Sequence, residues 1–209
     1  MTLTPEDRLI IALDLPTIEE AENIVSTLGK NGHFYKIGYQ LFPLGGYDLA
    51  RRLSGQGKKV FLDLKLLDIG ATVERGVRSL AGVGGDILTV HADTDTVKGA
   101  IQGRADERLR IFAVTVLTSW DQAQLNDHGI PMDVIDLVLR RAEMAAKAGA
   151  DGVIASAAEA SRLREEFGDE LQIVTPGIRP AGADANDQKR VITPQDAIAA
   201  GAVRPPVGR

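Results

Sequence analysis

The sequence contains no cysteine. Disulfides and thiolate metal ligands are therefore excluded, and a cytoplasmic home is the natural expectation. Histidine occurs three times, with no His-x-x-x-His pair. The spacing of a zinc site is missing, and no metal is predicted. Neither a Gly-x-Gly-x-x-Gly turn nor a Walker loop occurs, so neither a nicotinamide cofactor nor ATP is indicated. No apolar run reaches the roughly 18 residues that a membrane span needs. Met1–Arg8 has no apolar core, which predicts no secretory signal. Basic charge is in deficit as well: 24 Lys and Arg stand against 29 Asp and Glu, a net charge of −5. Nucleic-acid binders usually carry a basic face, so nucleic acid is not an expected partner. What is present is ordinary for a globular chain: 209 residues, 44% hydrophobic and 25% charged. That is enough apolar material to offset the entropy of ordering the chain.

Short apolar runs recur at Leu9–Asp14, Phe34–Gly38, Val60–Lys65, Ile87–His91, Ile111–Leu117, Gly152–Ser156 and Ile173–Pro176. Their apolar character barely alternates, as in parallel strands buried on both faces. Amphipathic stretches lie between them at Thr17–Leu28, Thr72–Leu80, Thr94–Gln102, Met132–Ala148 and Ala157–Phe167. The first opens on a Thr17-x-x-Glu20 capping box. A helix around Leu41–Leu53 has a weaker signal. Alternating strand and helix predicts an α/β fold with a parallel sheet. Eight units of about 26 residues fit a compact (β/α)8 TIM barrel, read as one domain over residues 1–209.

Two regions depart from the pattern. Residues 179–190 lack periodicity and read as a lid loop. After a short helix at Pro194–Ala200, the eighth strand falls at Ala202–Val207 and contains Pro205 and Pro206. Prolines remove ladder donors, and no eighth helix follows. The closing strand and last helix are thus expected to be atypical, truncated or altered.

Polar residues gather at the C-terminal ends of the apolar runs: Asp14, Lys36, Asp63, Lys65, His91 and Thr118. A barrel collects these ends at one face, where active sites lie. Taken singly, Asp14 before Pro16 reads as a turn, Lys36 as a surface lysine and His91 as a core histidine. The sharpest feature is Phe61-Leu62-Asp63-Leu64-Lys65-Leu66-Leu67-Asp68. Asp63 and Lys65 are two apart and share a face of a strand. Burying both charges costs stability unless they are paired, so function is favoured over scaffolding. Two further pieces, Thr175-Pro176-Gly177-Ile178-Arg179-Pro180 with Gln188, and Gly208-Arg209, suit a phosphate. Loops after strands seven and eight of small barrels commonly bind one, and Arg contacts it bidentately.

These motifs, in this order, resemble the orotidine 5′-phosphate decarboxylase family over nearly the whole chain. The likeness rests on the Asp63-x-Lys65-x-x-Asp68 signature. It extends to Ala-Leu-Asp at Asp14, Tyr-Lys-Ile-Gly at Lys36, Leu-Thr-Ser at Thr118, Thr-Pro-Gly-Ile-Arg-Pro at Arg179 and Asp-Gln-Lys-Arg at Gln188. The resemblance implies cofactor-independent decarboxylation of orotidine 5′-phosphate to uridine 5′-monophosphate in pyrimidine synthesis. It also implies a homodimer with shared active sites. Lys65 would protonate C6 of the pyrimidine, within a charge network of Lys36, Asp63, Lys65 and Asp68. Asp68, Ile69 and Thr72 would serve the neighbouring subunit's site. Asp14 would hold ribose hydroxyls, with Thr118 near the ribose and pyrimidine. Arg179, Gln188, Gly208 and Arg209 would grip the phosphate. Leu66-Leu67 and Gly70-Ala71 depart from the family's common residues, as does the tail Val203-Arg204-Pro205-Pro206.

Two other readings compete. A Mg²⁺-dependent sugar-phosphate lyase of the same suprafamily shares the signature, but usually has an acidic residue where this chain has Lys36. A non-catalytic barrel binding a phosphate ligand would account for the unusual tail.

Overall fold

The computed structural model describes residues 4–178 and 206–207. Eight strands form one parallel sheet: β1 (Ile10–Ala12), β2 (Phe34–Gly38), β3 (Lys59–Leu66), β4 (Ile87–His91), β5 (Arg110–Val114), β6 (Gly152–Ile154), β7 (Gln172–Val174) and β8 (Pro206–Val207). Their order is β7-β6-β5-β4-β3-β2-β1-β8. From β1 to β7 each strand thus lies beside its sequence neighbour, and β8 lies beside β1. That is the order of a TIM barrel, the expected α/β fold. The helices are α1 (Pro5–Arg8), α2 (Ile18–Leu28), α3 (Gly46–Gly55), α4 (Gly70–Leu80), α5 (Thr94–Gly103), α6 (Gln122–Asp127), α7 (Val134–Lys147) and α8 (Ala157–Phe167). No described helix is long and apolar enough to cross a membrane.

The strands are apolar on both faces because two cores meet at the sheet. Inside lie Ile10, Phe34, Phe61, Ile87, Phe112, Val114, Ile154 and Val174, with every strand from β1 to β7 contributing. Outside, Tyr35, Ile37, Leu62, Leu88, Val90, Ile111 and Val153 pack with the helices. Alternation along a strand decides which residue enters the barrel. On β2, Phe34 points inward and Tyr35 outward, which places Lys36 inward again. On β3, inward Phe61 likewise precedes inward Asp63. The charged residues therefore stand one layer above an apolar floor.

Several strands are shorter than the apolar runs. β1 ends at Ala12 and β5 at Val114, yet Leu13, Val116 and Ala155 beyond the strand ends are still buried. Apolarity follows burial, and burial continues past the strand ends, where Leu13 N still donates to Lys36 O and Ala155 N to Val174 O. Thr17 caps α2, its Oγ1 accepting from Glu20 N at 3.2 Å. A full capping box occurs instead at α6, between Asp121 and Gln124, where no apolar run marked a helix. α3 begins at Gly46, later than expected, because a 3₁₀ turn at Phe42–Leu44 ends on Gly45 at φ 112°. β8 pairs Pro206 with Ile10 and Val207 with Ile11. The expected lid 179–190 and the helix Pro194–Ala200 lie outside the described residues.

Candidate active site

At the C-terminal end of the sheet, a cavity of about 350 Å³ opens between the strand ends. Phe61, Val114, Ile154 and Val174 form its apolar floor, and Asp14, Lys36, Asp63, Lys65 and Thr118 line it. This size suits a small-molecule ligand, and a few polar groups on apolar walls are what such sites present.

Four of the charges form a row. Lys36 Nζ donates to both carboxylate oxygens of Asp14, at 2.8 and 2.9 Å. It lies 3.6 Å from Asp63 Oδ2. Lys65 Nζ donates to Asp63 Oδ1 at 2.7 Å. Adjacent strands bring the members together: Ala12, two residues before Asp14, pairs with Lys36, and Gly38 pairs with Asp63. Burial pushes the Asp63 carboxyl up. The Lys36 and Lys65 ammonium groups, with hydrogen bonds from Lys65 and Thr89, outweigh it and hold the group below the ordinary carboxylate value. Asp63 is thus a partly buried anion between two cations.

The backbone under Lys65 is irregular. Leu62 pairs with Leu88 and Leu66 with Val90, so residues 63, 64 and 65 together face Thr89. This is a bulge, and such features often re-aim a side chain beside an active site. Lys65 sits at φ 45°, the one described non-glycine residue at positive φ. That conformation costs an L-residue about 1–2 kcal/mol. Two side chains satisfy the displaced backbone. Thr89 Oγ1 accepts from Lys65 N at 2.9 Å and donates to Asp63 Oδ1 at 3.0 Å. Tyr39 Oη donates to Leu64 O at 2.5 Å. The Tyr39 ring centroid also lies 5.9 Å from Lys65 Nζ. The bulge qualifies the simple rule that residues two apart share a strand face. Asp63 and Lys65 do meet, but through a distorted segment.

Asp14, Lys36, Asp63, Lys65 and Thr118 are therefore brought together as expected. Asp68 is not: within this chain the row ends in Asp14 instead. Asp68 is exposed on the loop after β3, its Oδ1 accepting from Ile69 N at 2.6 Å. Ile69 and Thr72 are also exposed and do not line the cavity. Thr96 on α5 holds this loop, donating to Asp68 O at 3.2 Å. Arg179, Gln188, Gly208 and Arg209 lie outside the described residues. His91 ends β4 and is half-buried. Burial, then Arg141 and Lys65, lower its pKa and favour the neutral ring.

Tyr39 and Thr89 escaped the sequence reading. A threonine within Ile-Leu-Thr-Val reads as a strand former, and a tyrosine after a strand reads as loop surface. Arg141 is a further case. From α7 it donates to Thr115 O at 2.6 Å and so fixes the segment leading to Thr118.

A model of the orotidine 5′-phosphate decarboxylase / HUMPS family matches residues 7–209. The orotidine 5′-phosphate decarboxylase of Methylorubrum extorquens is 55% identical over 205 residues, covering 98% of this chain and 88% of that protein. The one from Rhodopseudomonas palustris is 56% identical over 203 residues, covering 97% and 86%. Among solved structures, the orotidine 5′-phosphate decarboxylase of Lactobacillus acidophilus superposes with a TM-score of 0.84 at 39% identity. It covers 97% of this chain and 91% of its own.

Proposed function

The chain belongs to the orotidine 5′-phosphate decarboxylase / HUMPS family, and from this membership we propose how its residues perform the reaction. The activity is decarboxylation: orotidine 5′-phosphate loses CO₂ to give uridine 5′-monophosphate. Breaking the C6–carboxylate bond leaves an electron pair on C6 in the plane of the ring, orthogonal to the ring's π-system, which therefore cannot spread it. Stabilisation has to come from charge already in place where the negative charge develops. Lys65 supplies that charge. Its ammonium faces C6, stabilises the carbanion, then transfers a proton to it and is reprotonated from solvent. Asp63 aims Lys65, and Lys36 holds Asp63 between two cations. Asp14, fixed by Lys36, offers its carboxylate to the ribose hydroxyls, and Thr118 lies beside ribose and base. Arg179, Gln188, Gly208 and Arg209 take the phosphate. Binding energy from that remote group helps organise the charged site.

The observation that carries this reading is the alternating row Asp14–Lys36–Asp63–Lys65 set on an apolar floor. A stability role would be served better by apolar residues. The neighbouring subunit supplies Asp68, Ile69 and Thr72. In support, Leu67 and Ile69, which flank Asp68, are 63% and 77% exposed, an apolar pair that a second copy would cover. The absence of cysteine favours the cytoplasm as its compartment.

The Mg²⁺-dependent lyase and the non-catalytic barrel are not favoured, since the relatives cited are decarboxylases. Turnover of orotidine 5′-phosphate with EDTA present tests the choice. Undiminished production of uridine 5′-monophosphate is expected, with Lys65→Ala folded but slower by roughly a thousandfold or more. Loss of activity in EDTA favours the lyase. Tight nucleotide binding without turnover favours the binding barrel.

A further inference from the structure

We propose that Tyr39 and Thr89 are positioning residues that clamp the Leu64–Lys65 peptide and thereby fix where the Lys65 ammonium stands. The proposal rests on the assignment of Lys65 given above. In a regular strand, the ladder to both neighbours would orient this peptide. Here the ladder to β4 breaks between Leu62 and Leu66, where three residues of β3 oppose Thr89. Side chains replace the missing backbone partners at both ends of one peptide plane. The carbonyl end, Leu64 O, accepts from Tyr39 Oη at the end of β2. The amide end, Lys65 N, donates to Thr89 Oγ1 on β4.

The position matters because the clamp sits at the root of Lys65. Lys65 has four rotatable side-chain bonds beyond a backbone held at φ 45°. Release of the peptide would let the backbone relax toward ordinary φ and swing Nζ away from the reacting carbon. Misplacement by about 1 Å can cost a hundredfold in rate. Thr89 does more than hold an amide. The same hydroxyl donates to Asp63 Oδ1, the oxygen that receives Lys65 Nζ. One buried oxygen thus ties the root of the lysine to the carboxylate that aims its tip. Tyr39 acts from the opposite strand, with its ring beside the ammonium.

The test compares Thr89→Val, Thr89→Ser and Tyr39→Phe with wild type. Valine keeps the shape and strand preference of threonine, serine keeps the hydroxyl, and phenylalanine keeps the ring. Thr89→Val is expected to lower kcat about ten- to hundredfold with KM within about twofold. Thr89→Ser should recover most of the loss, and Tyr39→Phe should lower kcat about three- to tenfold. Hydrogen exchange at the Lys65 amide should accelerate at least about tenfold in Thr89→Val, with amides of β5 unchanged. Wild-type kcat in folded Thr89→Val overturns the proposal. So does Thr89→Ser as slow as Thr89→Val, or exchange at Lys65 unmoved. Should wild type itself not turn over orotidine 5′-phosphate, the assigned reaction fails separately, and the exchange rates still decide whether the clamp exists.

Discussion

In the proposed mechanism Asp63 has to stay ionised while largely surrounded by protein, because a carboxylate aims the Lys65 ammonium better than a neutral carboxyl does. Burial works against this, and the two ammonium groups overcome it. The consequence for stability has a definite sign. Because the folded-state pKa is depressed, ionised Asp63 contributes stability above its unfolded value. That contribution disappears as pH falls through the folded value. Asp63→Asn removes the charge at every pH and leaves the Lys65 and Lys36 ammonium groups without their shared anion. We expect the variant to be less stable than wild type at pH 7, by about 1–3 kcal/mol, because neutral hydrogen bonds replace charge-assisted ones and two cations lose their counter-charge. The deficit should shrink as pH falls from the ordinary carboxylate value through the depressed folded value, below which wild type also carries a neutral side chain. Urea unfolding of both proteins at neutral and acid pH measures it. A deficit independent of pH would show that the Asp63 charge does not stabilise the fold.

At the scale of elements, a close seam between α4 and α5 sets the loop that carries Asp68. A Cβ on Gly99 would lie 2.2 Å from Gly70 O, and one on Gly103 would lie 2.3 Å from Glu74 O. The obstacles are backbone atoms, which cannot rotate aside. Gly99→Ala therefore has to move α4, and with it the loop that Thr96 anchors at Asp68 O. Overpacking of this kind costs about 1–3 kcal/mol, so Tm should fall by several degrees, read by thermal unfolding. Activity should fall too while Lys65, on the far side of β3, stays in place. An unchanged Tm would mean that the seam has slack. Most elements were legible in the sequence because a strand buried on both faces leaves a continuous apolar run. β2 and β4 fall on their predicted limits. The bulge in β3 was not legible. Nothing in Leu-Asp-Leu-Lys-Leu announces positive φ at Lys65, since glycine or asparagine is the usual marker. The charged residues were legible as chemistry, but their order was not. Lys36 bridges Asp14 and Asp63 only because β2 lies between β1 and β3, a tertiary fact that no local pattern carries.

For the whole molecule, the proposed sharing of sites between two subunits accounts for the position of Asp68. Lys65 meets Asp63, but Asp68 of the same chain faces outward, between exposed Leu67 and Ile69. A two-fold dimer would resolve both features, burying the apolar pair and delivering each Asp68 to its neighbour's Lys65. Mixed subunits test this arrangement. Lys65→Ala and Asp68→Ala homodimers each lack one component of every site and should be nearly inactive. In a dimer containing one of each, one site combines both substitutions. The other combines an intact Lys65 with an intact Asp68. Random exchange of equal amounts makes about half of the dimers mixed, each with one good site of two, so activity should recover to about a quarter of wild type. If Asp68 served its own chain's site, every site in the mixture would still be defective, and no recovery would follow. Subunit exchange verified by mass spectrometry with activity still absent would therefore place Asp68 outside a shared site.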